Sequence, residues 1–224
     1  MKKYAVIVAG GSGTRMGGGV PKQFRSLNNR PVLWWSMKAF HEEDPGTNLI
    51  LVLPMEFMTL WEDYFNSLPE EERYPHRVVA GGSTRTESVV NGLEAVEDPE
   101  SLVAVHDGAR PLVTQSLIST GWKTALEHGA AIPVVPVTDS LRKIDGDGSR
   151  VVDRKDFVAV QTPQVFISRI LKDAYSQAGD KTFTDDTSVV EGAGKKVALF
   201  EGNPENIKLT NPKDLEIAKA IMNG

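Results

Sequence analysis

Short apolar runs alternate with amphipathic stretches along most of this chain. The apolar runs predict buried β-strands at residues 4–9, 49–53, 77–80, 102–106, 130–135 and 196–200. The amphipathic stretches predict helices at residues 32–41, 56–67, 84–96, 115–128, 167–177, 186–192 and 212–222. Strands that alternate with helices are typical of an α/β, Rossmann-like fold, in which a mostly parallel sheet carries helices on both faces.

One segment, residues 138–164, departs from this alternation. It consists of short polar and β-branched pieces around Asp145-Gly146-Asp147-Gly148, and Asp-Gly is a strong hairpin signal. A two-stranded arm cannot bury a core of its own, so we expect it to protrude and to pack on a second subunit. The sequence therefore predicts a single domain over residues 1–224, with 138–164 as an inserted β-arm that forms a homodimer.

A glycine-rich loop follows the first strand, and such a loop can present backbone N–H groups to a phosphate. It is neither a dinucleotide fingerprint, because Met16 stands where the third glycine belongs, nor a Walker loop, because Gly-Lys-Ser/Thr is absent. Arg15 lies within the loop and Lys22 just after it. Two cations beside amide donors suit a triphosphate whose negative charge grows on a leaving pyrophosphate.

Asp107 directly follows the strand predicted at residues 102–106. Ligands of open α/β sheets bind beyond the carboxyl ends of the strands. A carboxylate at that place can hold Mg²⁺ and leave coordination positions for water and phosphate oxygens. The residues alone also allow a structural role, in which Asp107 caps the turn that follows.

The composition excludes several other kinds of chemistry. The chain has 224 residues, 25 Lys and Arg against 30 Asp and Glu, a net charge of -5 and no cysteine. It therefore lacks disulfides, zinc–thiolate sites and thiol nucleophiles, and an acidic chain is a poor candidate for binding nucleic acid. The longest apolar run, residues 130–137, is too short to span a membrane and contains two prolines. We expect a cytoplasmic protein without membrane or nucleic-acid partners.

Several motifs occur together and in a fixed order, and together they carry a family resemblance. They are Gly-x-Gly-x-Arg-Met at residues 11–16, Pro-Lys-Gln at 21–23, and the segments at 81–89, 106–111, 153–154, 161–164 and 206–210. In this combination the chain resembles the nucleotidylyltransferases and, among them, the 2-C-methyl-D-erythritol 4-phosphate cytidylyltransferase family of the non-mevalonate isoprenoid pathway. The resemblance covers nearly the whole chain.

The resemblance implies a reaction and a set of roles. CMP would pass from CTP to 2-C-methyl-D-erythritol 4-phosphate, giving 4-diphosphocytidyl-2-C-methyl-D-erythritol and pyrophosphate, with Mg²⁺ as cofactor. Together with the glycine loop, it assigns catalysis to Arg15, Lys22 and Lys208, and nucleotide binding to Ala9, Gly10, Gly11, Gly13, Gly82 and Ser88. It assigns acceptor binding to Asp107, Arg110, Arg154, Thr162 and Thr184, with Asp107 also the metal ligand and Arg154 supplied by the neighbouring subunit.

Taken without the family, most of these residues have a simpler interpretation. Gly82 could serve only a strand-to-helix turn, and Thr184 could belong to a helix cap. Arg154 could be a solvated charge, and Lys208, between apolar neighbours, could protect the edge of a short strand.

The function itself has alternatives. A ribitol 5-phosphate or other pentitol phosphate cytidylyltransferase would share the glycine loop, Pro-Lys-Gln and His-Asp-x-x-Arg. A hexose-1-phosphate nucleotidylyltransferase is a wider alternative, but such chains are usually longer, and the arm with Asp153-Arg154 argues against it. A non-catalytic nucleotide-binding module could keep the fold, but the presence of Arg15, Lys22 and Asp107 together argues against it.

Overall fold

The computed structural model describes residues 1–9, 21–179 and 183–224. Its strands are β1 (Lys3–Val8), β2 (Ser26–Leu27), β3 (Arg30–Pro31), β4 (Asn48–Leu53), β5 (His76–Ala80), β6 (Leu102–Asp107), β7 (Ala130–Pro136), β8 (Arg142–Asp145), β9 (Gly148–Val151), β10 (Val158–Val160), β11 (Gln164–Ile167) and β12 (Ala198–Glu201). Its α-helices are α1 (Val32–Glu43), α2 (Met58–Ser67), α3 (Arg85–Glu94), α4 (Gln115–His128), α5 (Ser168–Ala178), α6 (Asp186–Gly192) and α7 (Pro212–Asn223).

An eight-stranded mixed sheet runs through the middle of the molecule. Its strands follow the order β10-β7-β11-β6-β1-β4-β5, and β12 also pairs with β7. The central pairs β6-β1, β1-β4 and β4-β5 are parallel, as is β12-β7, whereas β11 is antiparallel to both of its neighbours. The apolar runs of β1, β4 and β6 are buried on both faces because helices cover both sides of the sheet, whereas those of β5 and β12 are only partly buried.

Each face of the sheet has its own hydrophobic core. One core packs α1, α2 and α4 against the sheet around Phe40, Trp61 and Trp122. The other packs α3, α5 and α6 around Val89, Leu171 and Val190. This arrangement confirms the predicted α/β class with a mostly parallel sheet and helices on both faces.

The segment predicted as an arm divides into two parts with different surroundings. Strands β8 and β9 form the predicted hairpin, and their residues are exposed throughout. Strands β10 and β11 instead lie in the main sheet beside β7, so the projecting hairpin ends before Val158 and is shorter than the predicted 138–164. The periodicity did not reveal these two strands, because a short β-branched run does not say which sheet it joins.

A break at residues 161–163 separates β10 from β11. Val160 pairs with Val134 and Val165 with Ala131, so five steps on one strand oppose three on the other. Extra residues of this kind form a bulge that redirects side chains. Thr162 lies in the bulge and is buried.

None of the described helices is long and apolar enough to cross a membrane. The last helix, α7, begins as its sequence predicts. Asn211 accepts hydrogen bonds from the N–H groups of Lys213 and Asp214, and Pro212 occupies the first turn. Its buried Ala218 packs with Leu27 and Leu209, which brings the segment before the helix back to the carboxyl edge of the sheet.

Candidate active site

A cavity of about 330 Å³ opens where β1, β5 and β6 end. Its lining comprises Val8, Ala9, Lys22, Gln23, Ser83, Thr84, Arg85, Ser88, Asp107, Ala109 and Lys208. Parallel strands place these residues together, because Val8 pairs with Asp107 in the register of β1 and β6. The cavity therefore lies at the edge of the sheet where the sequence predicts ligand binding.

Asp107 is surrounded by three cationic side chains. Lys208 Nζ lies 2.8 Å from its Oδ2, Arg110 Nε lies 3.7 Å from the same oxygen, and Arg85 Nε lies 3.7 Å from Oδ1. Burial alone would raise the pKa of Asp107, but Lys208, Arg85 and Arg110 outweigh it and lower that pKa to about 2. Asp107 is thus a carboxylate at neutral pH, and the cluster of four side chains carries a net positive charge.

Thr162 fixes the backbone of Asp107 from the bulge. Its Oγ1 accepts a hydrogen bond from the Asp107 N–H at 3.0 Å and lies 3.1 Å from His106 Nδ1. His106 Nε2 must donate to the Arg110 carbonyl, 3.1 Å away, so Nδ1 accepts from the Thr162 hydroxyl. Burial lowers the pKa of His106 to about 4, and the ring stays neutral and fully bonded. His106 is therefore part of the scaffold and not a free base.

Asn206 joins the two ends of this scaffold. Its Nδ2 donates to the Thr162 backbone carbonyl at 2.9 Å, while its backbone carbonyl accepts from Arg110 Nη1 at 2.7 Å. Two residues on, Lys208 reaches Asp107 from an irregular segment, so the short strand expected around Lys208 is not formed. The Leu209 N–H donates to the Ala109 carbonyl at 2.8 Å and anchors the segment.

The turn between β5 and α3 forms another wall of the cavity. The Gly82 N–H donates to Ser88 Oγ at 3.1 Å, and that hydroxyl donates to the Thr84 carbonyl at 2.8 Å. A Cβ at Gly82 would lie 2.2 Å from the Cβ of Glu87, so only glycine fits there. Glu87 accepts from the N–H and Oγ of Ser83, and these bonds lower the pKa of Glu87.

Arg85 is a cation of the cavity that the sequence interpretation did not include. It is the first residue of α3, lines the cavity, and bonds through Nη2 to Asp186 Oδ2 at 2.6 Å. Asp186 is fully buried and also accepts from the Tyr175 hydroxyl at 2.6 Å. The motif at residues 81–89 contains Arg85, but nothing in its spacing points to a carboxylate in α6.

The structure brings some of the predicted residues together and leaves others apart. Ala9, Lys22, Ser88, Asp107 and Lys208 line the cavity, while Gly82, Arg110 and Thr162 support its walls. Arg154 is exposed beside the hairpin, where it donates to the Thr138 carbonyl, and the exposed Thr184 precedes the cap of α6 formed by Asp185. The predictions on Gly10, Gly11, Gly13 and Arg15 lie outside the described residues.

The described part of the cavity offers few side chains that could bind a metal ion. Within residues 1–9, 21–179 and 183–224, no three His, Asp or Glu side chains converge on a point that could hold an ion. Among the described residues that line the cavity, Asp107 is the one with a carboxylate. Mg²⁺ often binds through one carboxylate together with substrate phosphates and water, so this arrangement fits an ion that arrives with a nucleotide.

Comparison with known proteins identifies the family. The sequence model of 2-C-methyl-D-erythritol 4-phosphate cytidylyltransferase matches residues 4–224. Enzymes of that name from Phocaeicola vulgatus and Bacteroides thetaiotaomicron are 45% and 47% identical over 222 and 224 residues, covering 99% of this chain and 100% of each relative. The crystal structure of the Thermus thermophilus enzyme matches with a TM-score of 0.80 at 32% identity and covers 100% of both chains.

These findings confirm the resemblance carried by the motifs and the predicted enzyme class, a CTP-dependent nucleotidyltransferase. The chain belongs to the 2-C-methyl-D-erythritol 4-phosphate cytidylyltransferase family.

Proposed function

We propose that the cavity binds CTP and 2-C-methyl-D-erythritol 4-phosphate and transfers CMP from the first to the second. The observation that carries the proposal is the cluster around Asp107, where Lys208, Arg85 and Arg110 converge in a cavity that Lys22 also lines. A net charge of -5 for the chain conceals this local excess of cations. Two polyanionic substrates require such an excess to approach each other.

The reaction needs no general base from the protein. A phosphate monoester has a second pKa of about 6, so an oxygen of the acceptor phosphate is already anionic near neutral pH. That oxygen attacks the α-phosphorus of CTP and forms a new P–O bond. The bond from the α-phosphorus to the oxygen that bridges it to the β-phosphate breaks, and pyrophosphate leaves with that electron pair. The buried, neutral His106 is consistent with a reaction that needs no general base.

Positioning and charge stabilisation then account for catalysis. Lys22 and Arg15 would stabilise the charge on the α-phosphate and the leaving pyrophosphate. Lys208, held on Asp107, would stand beside the attacking phosphate. When bound, Mg²⁺ would be held by Asp107 and would neutralise charge on the triphosphate.

The acceptor side of the proposal involves a second subunit. Arg154 lies at the end of the hairpin and outside the cavity of its own chain, as expected for a residue that serves a neighbour. The exposed apolar side chains of Ile144, Val151 and Phe157 on and beside the hairpin would be covered in a homodimer. Thr184 would contact the same acceptor. A cytoplasmic location remains a prediction from the sequence.

Pyrophosphate release tests the function directly. The protein is incubated with CTP, Mg²⁺ and one acceptor at a time: 2-C-methyl-D-erythritol 4-phosphate, ribitol 5-phosphate or glucose 1-phosphate. We expect release with the first only. Release with ribitol 5-phosphate alone would assign a pentitol phosphate enzyme, and release with none would contradict the proposal. ATP, GTP and UTP in place of CTP provide the matched control for the nucleotide.

A further inference from the structure

We propose that Arg85 is a phosphate-binding residue of the cavity and that the buried Asp186, with Tyr175, is the positioning pair that orients it. This inference rests on the proposed function, because it assigns a further residue to the same substrates. Neither the motifs nor the glycine loop predict a role for Arg85 or Asp186.

Contacts and burial distinguish Arg85 from an ordinary surface arginine. Its side chain keeps 32% of its exposure and lines the cavity, whereas its partner Asp186 has none. Nη2 donates to Asp186 at 2.6 Å, and Nε lies 3.7 Å from Asp107. A guanidinium has five N–H donors, so donors remain for an anion in the cavity after these two contacts.

The two carboxylates contact two different nitrogens of one rigid, planar group. Asp186 anchors Arg85 at a short distance, while Asp107 receives only a long contact at 3.7 Å. A guanidinium that bridges two carboxylates in this way keeps its plane fixed. Asp186 cannot itself reach a substrate because it is completely buried, so any effect it has on binding must pass through Arg85.

Tyr175 completes the anchor from α5. Its hydroxyl donates to Asp186 Oδ1 at 2.6 Å, which leaves Oδ2 for Arg85. Burial and the neighbouring Asp186 carboxylate raise the pKa of Tyr175, so the hydroxyl keeps its proton and remains a donor. A buried carboxylate is tolerated only when it is paired and hydrogen-bonded, and these two partners meet that need.

The location of Arg85 suits a phosphate group of either substrate. It stands at the start of α3, where backbone N–H groups and the helix dipole also favour an anion. It also contacts Asp107, on which Lys208 is held. The phosphate that Arg85 binds belongs to the triphosphate or to the acceptor, and binding experiments distinguish the two.

The test combines calorimetry with steady-state kinetics. Two variants are compared with the wild type. Arg85→Lys keeps the positive charge but loses the planar guanidinium and its paired donors, and Asp186→Asn keeps the size and shape of the side chain but loses its negative charge. Calorimetry measures the affinity for CTP and for inorganic pyrophosphate, and kinetics gives the acceptor KM and kcat. We expect each variant to weaken CTP and pyrophosphate binding, or to raise the acceptor KM, by about tenfold or more. The first result assigns the triphosphate and the second assigns the acceptor phosphate.

Two comparisons separate positioning from a purely structural role. The double variant R85K/D186N should lose little more affinity than Arg85→Lys alone, since Asp186 acts through Arg85. Arg169→Lys is the matched control, because Arg169 pairs with Glu100 on the exposed surface, and it should bind as the wild type does. Tyr175→Phe removes only the hydroxyl that bonds to Asp186, so it should give a smaller loss of affinity for the same ligand.

Wild-type affinities and acceptor KM in folded Arg85→Lys and Asp186→Asn would overturn the inference, and so would losses confined to melting temperature. Calorimetry with CTP requires no turnover. If the wild type binds CTP but transfers nothing to 2-C-methyl-D-erythritol 4-phosphate, the proposed function fails, while the binding data still decide whether Arg85 binds the triphosphate.

Discussion

The ammonium group of Lys208 lies 2.8 Å from the carboxylate of Asp107, although the two residues come from different halves of the chain. Asp107 ends β6 in the middle of the sheet, and Lys208 stands just before α7. The pair therefore exists only in the folded protein, and it positions a cation at the edge of the cavity.

Lys208→Ala should lower kcat by about 10²–10³-fold, because a preorganised charge beside the reacting phosphates is lost. The loss is measured as the rate of pyrophosphate release at saturating CTP and acceptor. Lys213→Ala is the matched control, since Lys213 is exposed in the first turn of α7. Equal rates in the two variants would contradict a catalytic role for Lys208.

Lys22→Ala should lower kcat far more than it weakens CTP binding, by about 10²–10³-fold in rate, because its charge is needed most as pyrophosphate leaves. Lys22 lines the cavity from the short helical turn Lys22–Phe24. Initial rates and CTP affinity are measured in parallel, with the exposed Lys195→Ala as control. A variant that loses only CTP affinity would assign Lys22 to binding and not to the reacting centre.

Asp107→Asn should remove the dependence of the rate on Mg²⁺ concentration and lower activity at every concentration. It should also cost about 3 kcal/mol of stability, because the largely buried Arg110 then lacks its carboxylate. A Mg²⁺ titration and urea unfolding measure the two effects. Asp173→Asn, at an exposed site on α5, is the control. An unchanged Mg²⁺ titration in Asp107→Asn would remove Asp107 from the list of metal ligands.

Mixing inactive variants tests whether subunits share a site. Arg154→Ala and Lys208→Ala subunits, mixed in equal amounts, should regain about a quarter of wild-type activity, because each heterodimer has one intact site. Lys22→Ala mixed with Lys208→Ala should regain none, since both residues line the cavity of the same chain. Sedimentation of the wild type as an active monomer would refute the shared site.

His76 should make stability depend on pH in the acidic range. Trp61 Nε1 donates to His76 Nε2 at 2.9 Å, so protonation of that nitrogen breaks the bond. Burial lowers the pKa of His76 below its usual value of about 6.5, and the unfolded chain therefore takes up the proton first. The stabilising effect of the neutral ring is complete above about pH 6.5 and is lost as the pH falls below it.

Urea unfolding from pH 8 to pH 5 measures this effect. We expect His76→Gln to be less stable at pH 8 and to lose part of the decline that the wild type shows below about pH 6.5. His128→Gln, at an exposed histidine, should keep the wild-type profile. Identical profiles for the wild type and His76→Gln would show that His76 does not titrate in this way.

The sequence predicted the parts of the fold that depend on local patterns. The periodicity of apolar residues located the helices and the parallel strands, because each buried run has the length and spacing of its element. It failed at β10 and β11, whose membership of the main sheet is decided by pairing with β7 and β6. Long-range pairing of short strands leaves no mark in a local pattern.

The candidate site shows the same division. Asp107 and Lys22 could be found because each follows a strand or a glycine loop in a recognisable motif. Arg85 and Asp186 could not, because they are 101 residues apart and meet only through the packing of α3 on α5 and α6. Asp186 also follows the capping residue Asp185, which gives an adequate local reason for acidic residues at that position.

The bulge between β10 and β11 connects the exposed hairpin to the wall of the cavity over a short stretch of chain. Strand β10 ends at Val160, and Thr162 follows two residues later. Between them, Gln161 Nε2 donates a hydrogen bond to the Asn203 carbonyl at 2.8 Å. Only a short stretch of chain therefore separates the hairpin from the Thr162 hydroxyl, which accepts a hydrogen bond from the Asp107 N–H. If the hairpin binds a second subunit, as proposed above, then a displaced hairpin would shift Thr162 and, through it, the backbone of Asp107. A weakened dimer should therefore lose the geometry around Asp107 first.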